Sequence, residues 1–227
     1  MPEFMTDALV ISILQIIAID IILGGDNAII IALACRDLPK HQKKLGILWG
    51  TAGAIILRVI LVFFATTLLA VPGLKLIGGL LLLWIGIKLL MENSGENDHK
   101  VNSSNGLMTA IRTIIIADFV MSLDNSIAIA AAAKGNMYLV VFGLLLSVPI
   151  IIAGSAIILK LMSRYPVIIS MGAGLLGWLA GDLIVHDPLL ESYLNFQIPY
   201  ANLLITGGFA AVVVVVGRTL AMRQKTV

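Results

Sequence analysis

The sequence predicts an all-α fold: a polytopic membrane protein of seven transmembrane helices, arranged as two inverted three-helix repeats plus one C-terminal helix. Three observations lead there. Of 227 residues, 59% are hydrophobic and 12% charged, where an ordinary soluble domain has about a quarter charged. Apolar runs near the roughly 20 residues needed to cross the hydrocarbon core follow one another along the chain. An acidic pattern near the N-terminus returns in the middle of the sequence.

A mean hydropathy of +1.05 implies more apolar surface than a water-soluble domain could hide, so the lipid bilayer is an expected partner. The net charge of +2 argues neither for nor against nucleic acid, and no nucleic-acid partner is expected. Cys35 has no second cysteine to pair with in the chain. Residues 1–4, ahead of Met5, read as an artificial leader and carry no fold information. The first apolar run contains acids and has no basic flank before it, so it does not read as a cleavable signal.

Spans are expected at about 8–34, 45–70, 72–91, 107–133, 138–162, 166–186 and 199–217. They divide the chain into a first repeat (5–91), a polar cytoplasmic linker (92–106), a second repeat (107–186), and an outer loop, seventh helix and cytoplasmic tail (187–227). Basic residues choose the topology. Arg36, Lys40, Lys43, Lys44, Lys100, Lys160, Arg164, Arg218, Arg223 and Lys225 fall on one side; Lys75 and Lys134 fall on the other, with Asp187 and Glu191. The positive-inside rule then places the N-terminus outside and the C-terminus in the cytoplasm, in a plasma (inner) membrane.

The repeat is visible without gaps. Residues 16–34 (IIAIDIILGGDNAIIIALA) and 114–132 (IIIADFVMSLDNSIAIAAA) share nine of 19 positions at an offset of 98. Asp20 matches Asp118, Asp26 matches Asp124, and Asn27 matches Asn125. A second echo pairs Pro72, Gly78, Leu81, Leu82 and Trp84 with Pro166, Gly172, Leu175, Leu176 and Trp178. Three helices per repeat is an odd number, so the second copy enters from the opposite face, the plan of many secondary transporters.

A carboxylate inside a membrane span costs at least about 2.5 kcal/mol unless it is paired or hydrated. Four of them recurring in register point to a function that offsets the cost. On an ideal helix Asp20 and Asn27 share a face, as do Asp118, Ser122 and Asn125, while Asp26 and Asp124 lie about 100° away. Gly24-Gly25 is expected to break the first helix and turn Asp26 toward the same cavity; Ser122-Leu123 stands at that place in the second copy. Carboxylates, amide oxygens and a hydroxyl without His or Cys make a hard oxygen site suited to Mn²⁺, Mg²⁺ or Ca²⁺. Metal-ligand candidates are Asp20, Asp26, Asn27, Asp118, Asp124 and Asn125, with Ser122 and Arg58 as outer partners or a gate. The competing structural reading pairs the acids with Arg58 and gives them no further task. Lys88 and Asp182 lie near span ends, where hydration explains them. His41, His99 and His186 are too scattered to be ligands, and the Gly-rich segments 46–50 and 172–174 read as close-packing faces.

The segments LGGDNAIIIALACRDLP and DFVMSLDNSIAIAAAAKG resemble the two signature segments of the TerC family of integral membrane proteins, and the resemblance runs over nearly the whole chain from Met5. It implies a seven-helix fold related to LysE-type exporters. It also implies efflux of divalent cations, chiefly manganese, with the Asp and Asp-Asn positions carrying the ion. The expected function is a secondary transporter exporting Mn²⁺, proton-coupled through the clustered acids, with no cofactor and no enzymatic activity. The alternative is a membrane factor that delivers metal to exported proteins. A homo-oligomer is left open, and the seventh helix is expected to pack or dimerise without chemistry.

Overall fold

The computed structural model describes residues 2–69, 71–91, 103–191 and 201–225. These residues are helical throughout apart from short turns: α1 (Pro2–Leu23), α2 (Gly25–Cys35), α3 (Lys40–Leu69), α4 (Leu74–Met91), α5 (Ser103–Ala132), α6 (Met137–Arg164), α7 (Val167–Val185), α8 (Pro188–Glu191) and α9 (Ala201–Lys225). Six of them, α3 to α7 and α9, are each long and apolar enough to cross a membrane; α1 and α2 taken together make a seventh. The all-helical membrane fold read from composition is the fold observed.

The expected first span, 8–34, is two helices that meet at Gly24 with a bend of 51°. Gly24 has φ −112° and ψ 11°, outside helical geometry. Its N–H still donates to Asp20 O (2.9 Å), and its carbonyl accepts from Asn27 N (3.0 Å), so the chain turns without abandoning its hydrogen bonds. A Cβ at Gly24 would stand 2.4 Å from the Asp20 carbonyl oxygen and 3.0 Å from Asn27 Nδ2. The bend therefore requires glycine. The matching stretch of the second half is one unbroken helix, α5, because Ser122 and Leu123 carry side chains that the straight path accommodates, both of them buried.

Other boundaries shift modestly. α3 begins at Lys40, five residues before the expected start, so the basic cluster Lys40, Lys43 and Lys44 rides on its first turns. α5 takes in the last residues of the expected linker, and the rest of that linker, 92–102, lies outside the described residues. The loop after α7 contains the single turn α8; residues 192–200 lie outside the described residues.

Packing joins the two halves at every level. α3 lies along α5, α6 lies along α1 and α2, and α4 lies along α7, which is backed in turn by α9. Small residues permit these approaches: a Cβ at Gly50 would fall 2.5 Å from Ile114 Cδ1, and one at Gly177 would fall 2.7 Å from the Phe209 carbonyl oxygen. The interior is built from Leu33, Leu82, Leu176 and Val213 between α2, α4, α7 and α9, and from Ile16, Ile129 and Leu144 between α1, α5 and α6. The outward surface carries many large apolar side chains. Phe63, Met171 and Leu204 are each about two-thirds exposed (66%, 67% and 71%), the pattern of a lipid-facing surface. Lys88, near one end of α4, lies over the Trp84 ring at 5.2 Å, which keeps its charge beside an amphipathic ring.

Candidate transmembrane polar site

The polar residues inside this apolar body fall into two groups, one buried and one opening to a cleft. The buried group centres on Arg58 of α3. Its guanidinium donates to Asp20 Oδ1 of α1 and to Asp118 Oδ1 of α5, and its Nε donates to Ser122 Oγ at 2.9 Å. Ser122 donates in turn to Asp118 Oδ2 (3.2 Å), and Ser147 of α6 donates to Asp20 Oδ2. The side chains of Arg58, Asp20 and Asp118 are 4%, 1% and 6% exposed, so solvent does not screen the triad. One cation thus binds two anions, and four helices from both halves are tied at one point. The pairing of the acids with Arg58 is the arrangement observed for Asp20 and Asp118.

Beside the triad is a small cavity lined by Asn27, Thr51, Arg58, Asp118 and apolar side chains including Ile30 and Ile151, with water-accessible space of about 20 Å³. That is room for one water-sized occupant. Asn27 and Thr51 are 4% and 2% exposed, and neither the Asn27 amide nor the Thr51 hydroxyl has a hydrogen-bond partner among the described residues. Unpaired buried amides and hydroxyls are costly, so this corner is suited to a polar visitor.

The second group lines a larger cleft, with about 270 Å³ of water-accessible space between Asp26 of α2, Asp124 and Asn125 of α5, and Asp182 of α7, floored by Ile22, Leu23, Met121, Leu179 and Leu183. Asp26 sits in the first turn of α2, where the helix N-terminus favours an anion. It has no ion-pair partner among the described residues, and its Oδ1 is buried without a hydrogen bond. Asp124 is paired with Lys75 Nζ of α4 at 2.7 Å. Asn125 Nδ2 donates to the Leu23 carbonyl (3.1 Å), one of the backbone oxygens released where α1 ends, and so joins the second half to the bend of the first. Asp182 pairs with His186 one turn on (3.3 Å), both side chains about half exposed.

The six predicted ligands are therefore divided. Asp20, Asp118 and Asn27 lie at the Arg58 layer, and Asp26, Asp124 and Asn125 line the cleft. This corrects the expectation that the break at Gly24 turns Asp26 toward the same cavity: the bend sends Asn27 to the small cavity beside Arg58 and Asp118, and Asp26 to the cleft. Among the described residues no three carboxylate, imidazole or thiolate side chains stand close enough together to hold one metal ion. At the buried layer the Arg58 guanidinium occupies the place where Asp20 and Asp118 would otherwise share a cation. Asp182, set aside as a hydrated span end, contributes a third carboxylate to the cleft. Lys75, counted only for topology, reaches Asp124; spacing gave no sign of it, because α4 and α5 meet only in the fold.

Residues 5–225 match the family described as "Integral membrane protein TerC family". The chain belongs to the TerC family. Among its relatives, the uncharacterized membrane protein YjbE of Bacillus subtilis is 45% identical over 184 residues, covering 81% of this chain and 84% of YjbE. YkoY of the same organism is 25% identical over 206 residues, 81% of this chain and 64% of YkoY. The UPF0053 inner membrane protein YgdQ of Escherichia coli K12 is 25% identical over 164 residues, 65% of this chain and 69% of YgdQ. No solved structure gives a significant match. This TerC-family chain is thus an integral membrane protein with inner-membrane homologues.

Proposed function

We propose that this TerC-family protein is a secondary transporter of divalent cations, with Mn²⁺ the favoured substrate and export the direction, and that the cleft around Asp26 is where the ion is first held. One observation carries the reading: Asp26 is a motif carboxylate at a helix break, without a basic partner among the described residues, facing a cleft of about 270 Å³ that two further carboxylates line. An apolar membrane body keeps such a group only where a cation or water attends it. All the cleft's charged and amide ligands are oxygen donors, which suits a hard dication.

The Arg58 layer suits the role of barrier. It closes the path between the halves with a desolvated ion triad, and movement of one half against the other has to rearrange it. The exchange of partners between halves, α3 with α5 and α6 with α1 and α2, supports the inverted-repeat reading. The distribution of basic residues supports an outer N-terminus and a cytoplasmic C-terminus. Proton exchange at the clustered acids accompanies cation movement in this scheme, and the protein acts as a carrier, not an enzyme.

Purified protein in proteoliposomes tests the proposal directly, with Mn²⁺ the ion supplied. The parent takes up Mn²⁺ unaided, and Asp26→Asn and Asp124→Asn lower the flux at least tenfold while remaining folded. Undiminished flux in Asp26→Asn would refute the site. A parent that binds Mn²⁺ but moves none would favour the metal-delivery role.

A further inference from the structure

We propose that Lys75 is a tethered cation that competes with the transported ion for the Asp124 carboxylate, and that Asp187 is the positioning residue that holds it there. The inference rests on the transport reading above and names a regulator of that same cleft.

Lys75 stands in the first turn of α4, at the end where the helix dipole disfavours a positive charge. Its place there is sustained from 112 residues away in sequence. Asp187, in the turn between α7 and α8, is fully buried (0% exposed). Its Oδ1 accepts from Gly73 N (3.0 Å) and Leu189 N (2.9 Å), and its Oδ2 accepts from Leu76 N (2.9 Å). A carboxylate supplied by the second half thus caps the N-terminus of a helix of the first half, satisfying N–H groups that otherwise have no partner. Gly73, at φ +85°, makes the turn that presents these groups, a conformation that L side chains rarely adopt. The capped turn leaves the Lys75 side chain 16% exposed, directed across to Asp124 at 2.7 Å, whose own side chain is 41% exposed.

Asp124 is thereby occupied while Asp26, on the other wall of the same cleft, has no cation. An arriving dication meets Asp26 first and gains Asp124 only by displacing the ammonium. Ions too weakly attracted to displace it hold fewer ligands, so the lysine also sharpens selection by charge. When the ion leaves, Lys75 returns to Asp124 and neutralises it.

Two measurements with Mn²⁺ as the probe test this. In the parent protein, amine acylation read by mass spectrometry is expected to report Lys75 shielded without metal and labelled several-fold faster as Mn²⁺ is added. The half-point should match that of transport. Lys75→Gln is expected to bind Mn²⁺ about fivefold more tightly, in keeping with a partly exposed pair. Lys134→Gln, which removes an exposed charge elsewhere, sets the background for general electrostatics. Asp187→Asn is expected to quicken Lys75 labelling in the absence of metal and to leave Lys134 labelling unchanged. Labelling of Lys75 that ignores Mn²⁺, together with equal affinities for the Lys75 and Lys134 variants, overturns the proposal. If the parent still moves Mn²⁺, the latch alone falls; if the parent neither binds nor moves Mn²⁺, the transport reading falls with it.

Discussion

Replacing Arg58 by Met, a residue of similar reach without charge, isolates the energetics of the central triad. The guanidinium makes three contacts, to Asp20, Asp118 and Ser122. Its loss leaves two carboxylates that are 1% and 6% exposed facing one another without a cation. Breaking a buried ion pair by removing one partner costs about 3–5 kcal/mol, chiefly because a desolvated charge is left behind. That lowers the folded-to-unfolded ratio by roughly two to nearly four powers of ten. Removing all the charges together has a different consequence. In Asp20→Leu/Arg58→Met/Asp118→Leu no charge is stranded, and replacing a buried triad by well-packed apolar residues of similar volume is often neutral or stabilising. The triple variant should therefore be markedly more stable than the single one, a non-additivity expected only of groups in direct contact. Denaturant titration in detergent micelles, followed by far-ultraviolet circular dichroism, measures both. A single variant within about 1 kcal/mol of the parent, or a triple variant no better than the single, would refute the idea that Arg58 neutralises both aspartates in a dry interior.

Two further predictions concern backbone geometry and pH. Gly24→Ala puts a methyl against the Asp20 carbonyl and the Asn27 amide, so we expect about 1–3 kcal/mol of destabilisation, the range for overpacking; unchanged stability by the same titration would show that the bend relaxes freely. Asp187 loses hydration on burial, which raises its affinity for a proton, but the N–H groups of Leu76, Leu189, Gly73 and Lys75 together outweigh this and hold its carboxyl below the usual carboxylate range. The sign follows from that depression: the cap's contribution is present above the ordinary carboxyl value, about 3.9, and is lost as pH falls below it toward the folded value. Asp187→Ala should therefore cost about 1 kcal/mol at neutral pH, the usual loss on removing a helix cap, with the gap to the parent closing in acid; a gap that is flat from pH 7 to pH 3 would contradict the assignment.

Membrane spans are legible in sequence because they answer to a single local rule. A segment must be apolar over its whole length and must satisfy its own backbone hydrogen bonds, whatever its neighbours do. For that reason α4 and α7 lie close to where the apolar runs put them, α9 begins where expected but runs past the expected end at 217 to Lys225, and the Gly24-Gly25 pair marks the weak point of the first span. The acidic motif was equally legible, since Asp20, Asp26, Asp118 and Asp124 contrast with everything around them.

What sequence did not determine is which acid meets which cation. Asp20 and Asp26 are six residues apart and look alike on paper, yet one is tied to Arg58 in a dry layer and the other faces a cleft without a basic partner among the described residues. The division follows from a bend that only glycine permits and from an arginine 38 residues from Asp20 and 60 from Asp118. Asp187 is the clearest case. In sequence it is an ordinary loop acid, and only the packing of α7 against α4 brings it to a helix end 111 residues away. Electrostatic partnership acts over a few ångströms through space and is indifferent to separation along the chain, so the tertiary fold alone decides it.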